Sequence, residues 1–536
     1  ELLQGFLTDP TAFGGSNRFS TLMPRTGAYG TLGATHNRDD DRLTNPYLRL
    51  NGLAEVFGRS AWYLDVEGAN GTTTNANTAP DGTTTNITGD RRAELYALGL
   101  GSALTENLGV FAYGTRFRDN VVLRDDSATF GSQDKDRLDI GLRYRFSPTS
   151  MTWLKAGRTR EEQVFDNYVI FSADLNSAAA ANSGFKFRPE DIQARHSMDF
   201  TPADHFSFGF ERAKDHRSGS LQQVGVFNSD IGLVGFGQQV DQDARVESKQ
   251  GYASYVRDIV PGLSGQADLF WQRFEQRIDQ LTTTVLDLGG VTFPSFDQQG
   301  GESTKTEWNP RFGLAWTPGR YGVRAAWQRW LQPVSTSTIA PVATAGIPLD
   351  DRLVASGGKG ERSAVQAFLE AGSGTHFSLA YDNNKVTNLG KLGFRIPVPQ
   401  IQFVELLRNA QLVNVNNSDL LEGTPDFDAG RVETGAVAFN HMLSREWSVA
   451  ARYAYTKNRA TIFVRDDTGN IVSATDDARV PFVPKNLGTI GVTWVSPWRI
   501  YLSAMAVYRS ERFAARENTF RLPKDTTGTV AVFWET

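Results

Sequence analysis

Apolar and polar residues alternate with a period of two along many short stretches of this chain. From 137 to 146, Leu138, Ile140, Leu142, Tyr144 and Phe146 fall on one side, and Arg137, Asp139, Gly141, Arg143 and Arg145 on the other. Successive side chains of a strand point to opposite faces, so this segment reads as a strand with one greasy and one charged face. Trp447, Val449, Ala451, Tyr453 and Tyr455 alternate in the same way with Ser448, Arg452 and Thr456, and Phe206, Phe208 and Phe210 with Ser207, Gly209 and Glu211.

These stretches come in pairs joined by tight reversals such as Phe146-Ser147-Pro148, Phe200-Thr201-Pro202, Ile259-Val260-Pro261, Trp316-Thr317-Pro318 and Val495-Ser496-Pro497. Nine reversals are expected, near 56–60, 104–107, 147–150, 202–205, 259–263, 317–320, 372–375, 443–446 and 496–498. With one strand before them (28–37) and one after (527–535), about 20 strands follow. At the other end of the pairs lie polar segments, read as loops near 38–45, 70–91, 119–136, 163–190, 217–244, 286–303, 332–361, 389–429, 465–484 and 514–526. Short turns at one end and long loops at the other mark an outer-membrane barrel. The predicted fold is all-β: a transmembrane antiparallel up-and-down β-barrel of about 20 (20–22) strands over 28–536, with periplasmic turns and extracellular loops. Residues 1–27 do not alternate and read as an N-terminal periplasmic or luminal segment.

Composition narrows the picture. The 536 residues are too many for one ordinary soluble core, whereas the length of a barrel scales with its strand number. No run of about 18 apolar residues occurs, so no membrane helix is expected; a barrel strand needs only every second residue apolar over about 9 to 11 positions. The net charge of −5 excludes the basic surface that nucleic acid favours. Cys is absent, consistent with passage through an oxidising periplasm.

A barrel of about 20 strands has a diameter of roughly 40 Å, so its lumen holds water, a folded-in loop, a plug or another chain. The wet wall is predicted to carry Arg49, Asp65, Glu67, Asp139, Arg143, Arg145, Lys155, Glu211, Asp268, Arg311, Arg324, Glu370, Arg452, Arg499, Tyr501 and Arg509. Their mixed signs fit internal ion pairs better than a filter for one charge. Trp62, Trp153, Trp316, Trp447, Trp494 and Trp498 lie close to the short reversals and are predicted to form a girdle at one membrane interface. In the longest loop, Ile401, Phe403, Val404 and Leu407 fit one face of a short helix. That helix either occludes the lumen or packs on the outer loops. The segment Ile339–Val354 is unusually apolar for an exposed loop.

No His pair has metal-ligand spacing and no nucleophile elbow occurs, so no metal, cofactor or catalytic site is predicted. Acidic runs such as Asp39-Asp40-Asp41 and Asp350-Asp351 read as solvated loop charge or as bridges to lipopolysaccharide through divalent ions. Expected partners are therefore outer-membrane lipid and lipopolysaccharide, with a periplasmic domain or protein.

The run Val480-Pro481-Phe482-Val483-Pro484-Lys485-Asn486, the strand to Trp494, and the pair Trp498–Ala504 and Tyr508-Arg509-Ser510 resemble the C-terminal strands of TonB-dependent receptor barrels. The opening residues Glu1–Pro10 are similar to the junction before the barrel in outer-membrane proteins with tetratricopeptide repeats. The first resemblance implies a 22-stranded receptor barrel in a Gram-negative outer membrane, with a plug ahead of it. Among functions, a translocation conduit for a solute or polymer, working with a periplasmic partner, is the leading expectation. A receptor-like uptake barrel with its plug outside this chain and a structural scaffold barrel are the alternatives.

Overall fold

The structure, a computed structural model, describes residues 28–534 apart from 39–41, 55–58, 79–83, 124–129, 173–176, 230–231, 289–290, 335–337, 373, 389–426, 466–470, 499, 514–517 and 519–520. Among these, twenty-two strands form one antiparallel sheet. Ala28–Arg38 lies beside Asp525–Trp534, so the sheet closes on itself. Two positions around the wall are each shared by two strands. Ser177–Phe187 and Glu190–Thr201 both pair with Ser150–Ser172, and Ile471–Ala478 and Asn486–Val495 both pair with Trp447–Arg465. The twenty-two strands therefore occupy twenty places around the circumference, against the 22 that the family resemblance implies.

The wall has inverted polarity. Leu138 and Ile140 are 56% and 52% exposed, whereas Asp139 between them is 2% exposed. Ile192 is 66% exposed and its neighbour Gln193 1%. Phe208 and Phe210 are exposed while Ser207 and Glu211 are buried. A soluble sandwich would bury the apolar set; here it faces outward, as a bilayer requires.

The described short turns fall where the reversals predict, for example between Thr201 and Asp204, Val260 and Leu263, and Trp316 and Tyr321. At the opposite end the structure corrects the sequence reading. Much of what reads as loop at 70–91, 119–136, 163–190, 217–244 and 286–303 is strand. The four consecutive strands Asp204–Ser229, Gly232–Val260, Leu263–Leu288 and Val291–Trp316 run 26, 29, 26 and 26 residues. At roughly 3.3 Å per residue and a tilt near 40°, they rise about 70 Å, well above an apolar band of about 25 Å. Above the bilayer both faces are wet, so the alternation fades although the ladder continues.

Outward aromatic residues form two tiers. Trp316, Tyr321, Phe377 and Trp447 are exposed next to the short turns. A second tier, Tyr96, Trp308, Tyr381, Tyr455 and Tyr508, is exposed six to eight residues from the short-turn end of its strands. Eight residues correspond to roughly 20 Å of height, so the tiers bracket the hydrocarbon. Leu379, 61% exposed, stands between them. Replacing Leu379 with Arg is expected to destabilise the barrel by about 2–4 kcal/mol in denaturant unfolding from lipid bilayers, and the same change at the lumen-facing Ala380 by distinctly less.

Candidate functional site in the lumen

On the inner face, strand register aligns one polar row across neighbouring strands. Lys155 stands opposite Gln193, Gln193 opposite Glu211, Glu211 opposite Gln250, and Gln250 opposite Gln272. Gln250 Nε2 donates to Glu211 Oε2 at 2.8 Å, Gln272 Nε2 to Gln250 Oε1 at 3.0 Å, and Asn309 Nδ2 to Gln272 Oε1 at 2.8 Å. Beside this row sits an ion cluster. Lys155 Nζ lies 3.2 Å from Asp139 and 3.4 Å from Asp191, and Arg137 Nε 2.6 Å from Asp139. All of these side chains are buried or nearly so, which makes the mutual pairing necessary.

The segment 332–358 leaves the wall on the side opposite the short turns and folds into the lumen against this row. Its ends are adjacent: Gln332 N donates to Gly358 O at 2.8 Å, and Gly357 N to Gln332 O at 2.9 Å. Its tip is a two-residue hairpin, Ala343–Thr344 paired with Ile347–Pro348. Ala345 and Gly346 both take positive φ (49° and 76°), the conformation of a type I′ turn. The tip reaches almost to the short turns. Ala345 N donates to Gln266 Oε1 at 2.7 Å, and Gln266 lies three residues into its strand.

Wall side chains satisfy the backbone of this segment. Three neutral amides act as double clasps, each donating to a backbone carbonyl and accepting from a backbone N–H, two within the segment and one at Leu331, the strand residue that leads into it. Gln272 clasps Leu331 through both its N–H and its carbonyl, each at 2.9 Å. Gln266 clasps Ala343 O and Ala345 N, and Asn388 clasps Leu353 O and Ala355 N. Single bonds add to these: Ile339 N to Gln193 Oε1 at 2.6 Å, Gln328 Nε2 to Ile347 O at 3.0 Å, Arg311 Nη1 to Pro341 O at 2.9 Å, and Arg362 to Pro348 O. Ile347, Val354 and Ile339 are buried beneath them. Close approach needs a small residue at Gly313, where a Cβ would come within 2.7 Å of Ala345 Cβ and 2.9 Å of Thr344 Cγ2.

The sequence-predicted lumen set divides as follows. Asp65, Asp139, Lys155, Glu211, Asp268 and Arg311 are buried on the inner face. Of these, Asp268 and Arg311 meet the loop directly, and Glu211 accepts from Thr338 Oγ1 at 2.5 Å. Arg143, Arg145, Arg324, Tyr501 and Arg509 share the inner parity of their strands, as do Glu67, Glu370 and Arg452; Arg509 pairs with Asp525 at 2.8 Å. Arg49 stands opposite Asp65 in register. Arg499 and the helix candidates Ile401, Phe403, Val404 and Leu407 lie outside the described residues.

Of the predicted girdle, Trp316, Trp447 and Trp498 are exposed. Trp62 and Trp494 share the outward face, opposite Leu100 and Trp447 in register. Trp153 is a correction. It stands on the inner face with Lys155, and the Arg195 guanidinium sits 5.5 Å over its ring. Sequence reading missed Gln193, Gln266, Gln272 and Asn388 as loop clasps; the one available signal was the apolar run Ile339–Val354, which needs a surface to pack on. Asp350, half of a predicted acidic run, is held by Arg352 through two bonds of 2.8 Å. Burial pushes its carboxyl up, but the Arg352 guanidinium, with Arg362 beyond it, holds it below the usual carboxylate range.

No family model matches the sequence, and no curated protein matches it. Solved structures do. The ferric yersiniabactin uptake receptor FyuA from Yersinia pestis matches with a TM-score of 0.60 at 10% identity, over 96% of this chain and 73% of that one. The siderophore receptor PiuA from Acinetobacter baumannii matches with a TM-score of 0.59 at 12% identity, over 96% and 82%. The copper transporter OprC matches at 0.57 and 8%, over 95% and 72%. The fold is that of a TonB-dependent receptor barrel. At such identities the likeness is one of fold, and it agrees with the outward apolar wall in placing the architecture among Gram-negative outer-membrane barrels.

The ion cluster gives a direct test of the buried inner wall. Replacing Lys155 with Met leaves Asp139 and Asp191 facing each other without their shared cation. We expect about 3–5 kcal/mol of lost stability at neutral pH, read from the denaturant midpoint in detergent micelles.

Proposed function

We propose that this barrel is an outer-membrane uptake receptor of the TonB-dependent type, with its plug outside this chain and the segment 332–358 acting as a resident constriction of the lumen. The observation that carries the reading is the docked segment itself: a hairpin that runs down the inner wall almost to the periplasmic turns, tied by wall amides. The hairpin narrows the lumen along the inner wall, as suits an uptake barrel that stays closed between transport events. The structural neighbours support uptake over a conduit for polymer export, because those named above are receptors and transporters for siderophores and copper. The corresponding reading for this chain is import of a small solute of the metal-chelate kind, with a periplasmic energy-coupling partner. The reading assigns no catalysis to the protein.

Because Gln332 and Gly358 are already hydrogen-bonded neighbours, the segment can be excised without parting the strands that flank it. Replacing 334–356 with an Asn-Gly turn is expected to raise single-channel conductance in planar bilayers several-fold. Gly313→Val, which pushes the hairpin off the wall, should do so partially. Unchanged conductance in both variants, with wild-type migration on heat-modifiability gels, would remove the constriction from the account.

A further inference from the structure

The wall leaves one long strand edge open where the lumen segment departs. Val291–Trp316 pairs with Leu263–Leu288 along its whole length, but with Tyr321–Leu331 only from Arg311 to Trp316. Among the described residues no strand lies on that side of Val291–Pro310. The parity of the ladder identifies the backbone groups that face the opening. Thr317 N donates to Gly262 O at 2.6 Å, and the register runs from there to Val291 without a shift. Odd-numbered residues therefore bond to Leu263–Leu288, and the N–H and C=O of even-numbered ones turn to the open side. Pro294 and Pro310 obey this rule: both are even, so neither costs the existing ladder a donor. Between them, from Phe296 to Trp308, every even-numbered residue has an N–H to give.

Proteins blunt such edges by keeping them short, by proline or charge, or by covering them. Here the prolines stand at the two ends of the stretch and leave its middle open. That middle holds Gly300-Gly301 in a ladder without a bulge. Glycine inside a strand weakens it, and where no register shift uses it, it marks close approach by another backbone. A Cβ at Gly301 would meet nothing within 4 Å, so no packing within the described chain requires the small residue. Two aromatic side chains frame the stretch on its outward face, Phe296 at 72% and Trp308 at 61% exposed. Trp308 belongs to the upper aromatic tier, so the open edge begins at the membrane surface and climbs into water, where an unpaired backbone is tolerated.

A row of alternating donors and acceptors with an aromatic ring at each end is complementary to one kind of occupant, another extended backbone. A second copy of the chain in the same membrane does not fit. A two-fold axis along the membrane normal carries a strand tilted by about 40° into one that crosses it at roughly 80°, which no ladder spans. We propose that the edge Phe296–Trp308 is a strand-addition site on the extracellular side, and that it takes an extended segment of another polypeptide with apolar side chains placed to cover Phe296 and Trp308. Main-chain bonds supply the affinity, and the two aromatic anchors set the register. The inference rests on the barrel and is independent of what the lumen transports.

The test uses the full chain folded in lipid nanodiscs, with a labelled synthetic peptide of alternating Thr and Val, Tyr at each end, as the probe. The peptide is expected to bind saturably. T304P removes one edge-facing N–H without touching the ladder to Leu263–Leu288 and should weaken binding at least tenfold, whereas T304V, which keeps the backbone donor, should bind as wild type. The same peptide N-methylated along its backbone should not bind. Hydrogen exchange gives a second readout: in the free barrel the even-numbered amides from Phe296 to Trp308 should exchange fast and the odd-numbered ones slowly, and the peptide should slow the even set. Absence of saturable binding, equal binding by T304P or by the N-methylated peptide, or even-numbered amides already slow in the free barrel would each overturn the inference, the last because the chain itself then covers the edge. Heat-modifiable migration and conductance of T304P should equal wild type, which separates loss of this edge from misfolding and from failure of the uptake reading.

Discussion

The structure depends on one constraint: inside hydrocarbon no backbone N–H or C=O is left without a partner, because each such group costs several kcal/mol. An antiparallel ladder satisfies the spanning strands through their neighbours, and Ala28–Arg38 lies beside Asp525–Trp534, where the sheet closes. Once the backbone is satisfied in this way, the side chains are relieved of forming a core. The apolar set turns outward at Leu138, Ile140 and Ile192, and the charged set turns in at Asp139, Lys155 and Asp191. The inverted alternation is a result of that closure.

The same constraint governs the segment that enters the lumen. Among its described residues it has one short ladder of its own, Ala343–Thr344 with Ile347–Pro348. Others of its backbone groups are met by wall side chains, among them amides with the chemistry of a peptide unit. Gln266, Gln272 and Asn388 each offer one donor and one acceptor, as an adjacent strand would. Amides suit the task because they are neutral. A carboxylate in the same place needs a counter-charge, as the cluster of Lys155 with Asp139 and Asp191 illustrates. Each clasp contributes only about 1 kcal/mol when made, but an orphaned buried group costs about 1–3. A row of them therefore holds the segment as a unit, with Gly313 providing the flat ground on which its tip rests.

What the sequence revealed follows from which solvent each residue meets. Within the bilayer one face is oily and one wet, so period-two alternation marks the spanning part of strands such as Arg137–Phe146, and proline-containing turns mark their ends. Above the bilayer the same strands are wet on both faces, and Gly232–Val260 passes for loop over much of its length because hydropathy no longer reports backbone pairing. Trp153 faces inward and not to lipid, because an indole suits a headgroup interface and an arginine-lined lumen equally well. The lumen segment announced only that it needed cover. Its partners are polar residues up to about 150 positions away, as with Gln193 and Ile339, and a polar wall residue looks the same in sequence whether it faces water or a docked backbone.

The place where the segment enters follows from the sheet. Val291–Trp316 pairs with Tyr321–Leu331 only from Arg311 to Trp316. Beyond Gln328 the second strand continues its ladder only with Lys359–Glu361 on its other side. The tall strand climbs on with its earlier neighbour, while Leu331, released on that side, is taken by Gln272 from two strands away. The sheet gives up one ladder at this seam, and Gln272 takes both backbone groups of Leu331 where the chain leaves the wall and turns inward. The seam and the docked segment are thus one feature: the clasp on Leu331 holds the chain where the ladder ends, and without the open ladder the segment would have no way in.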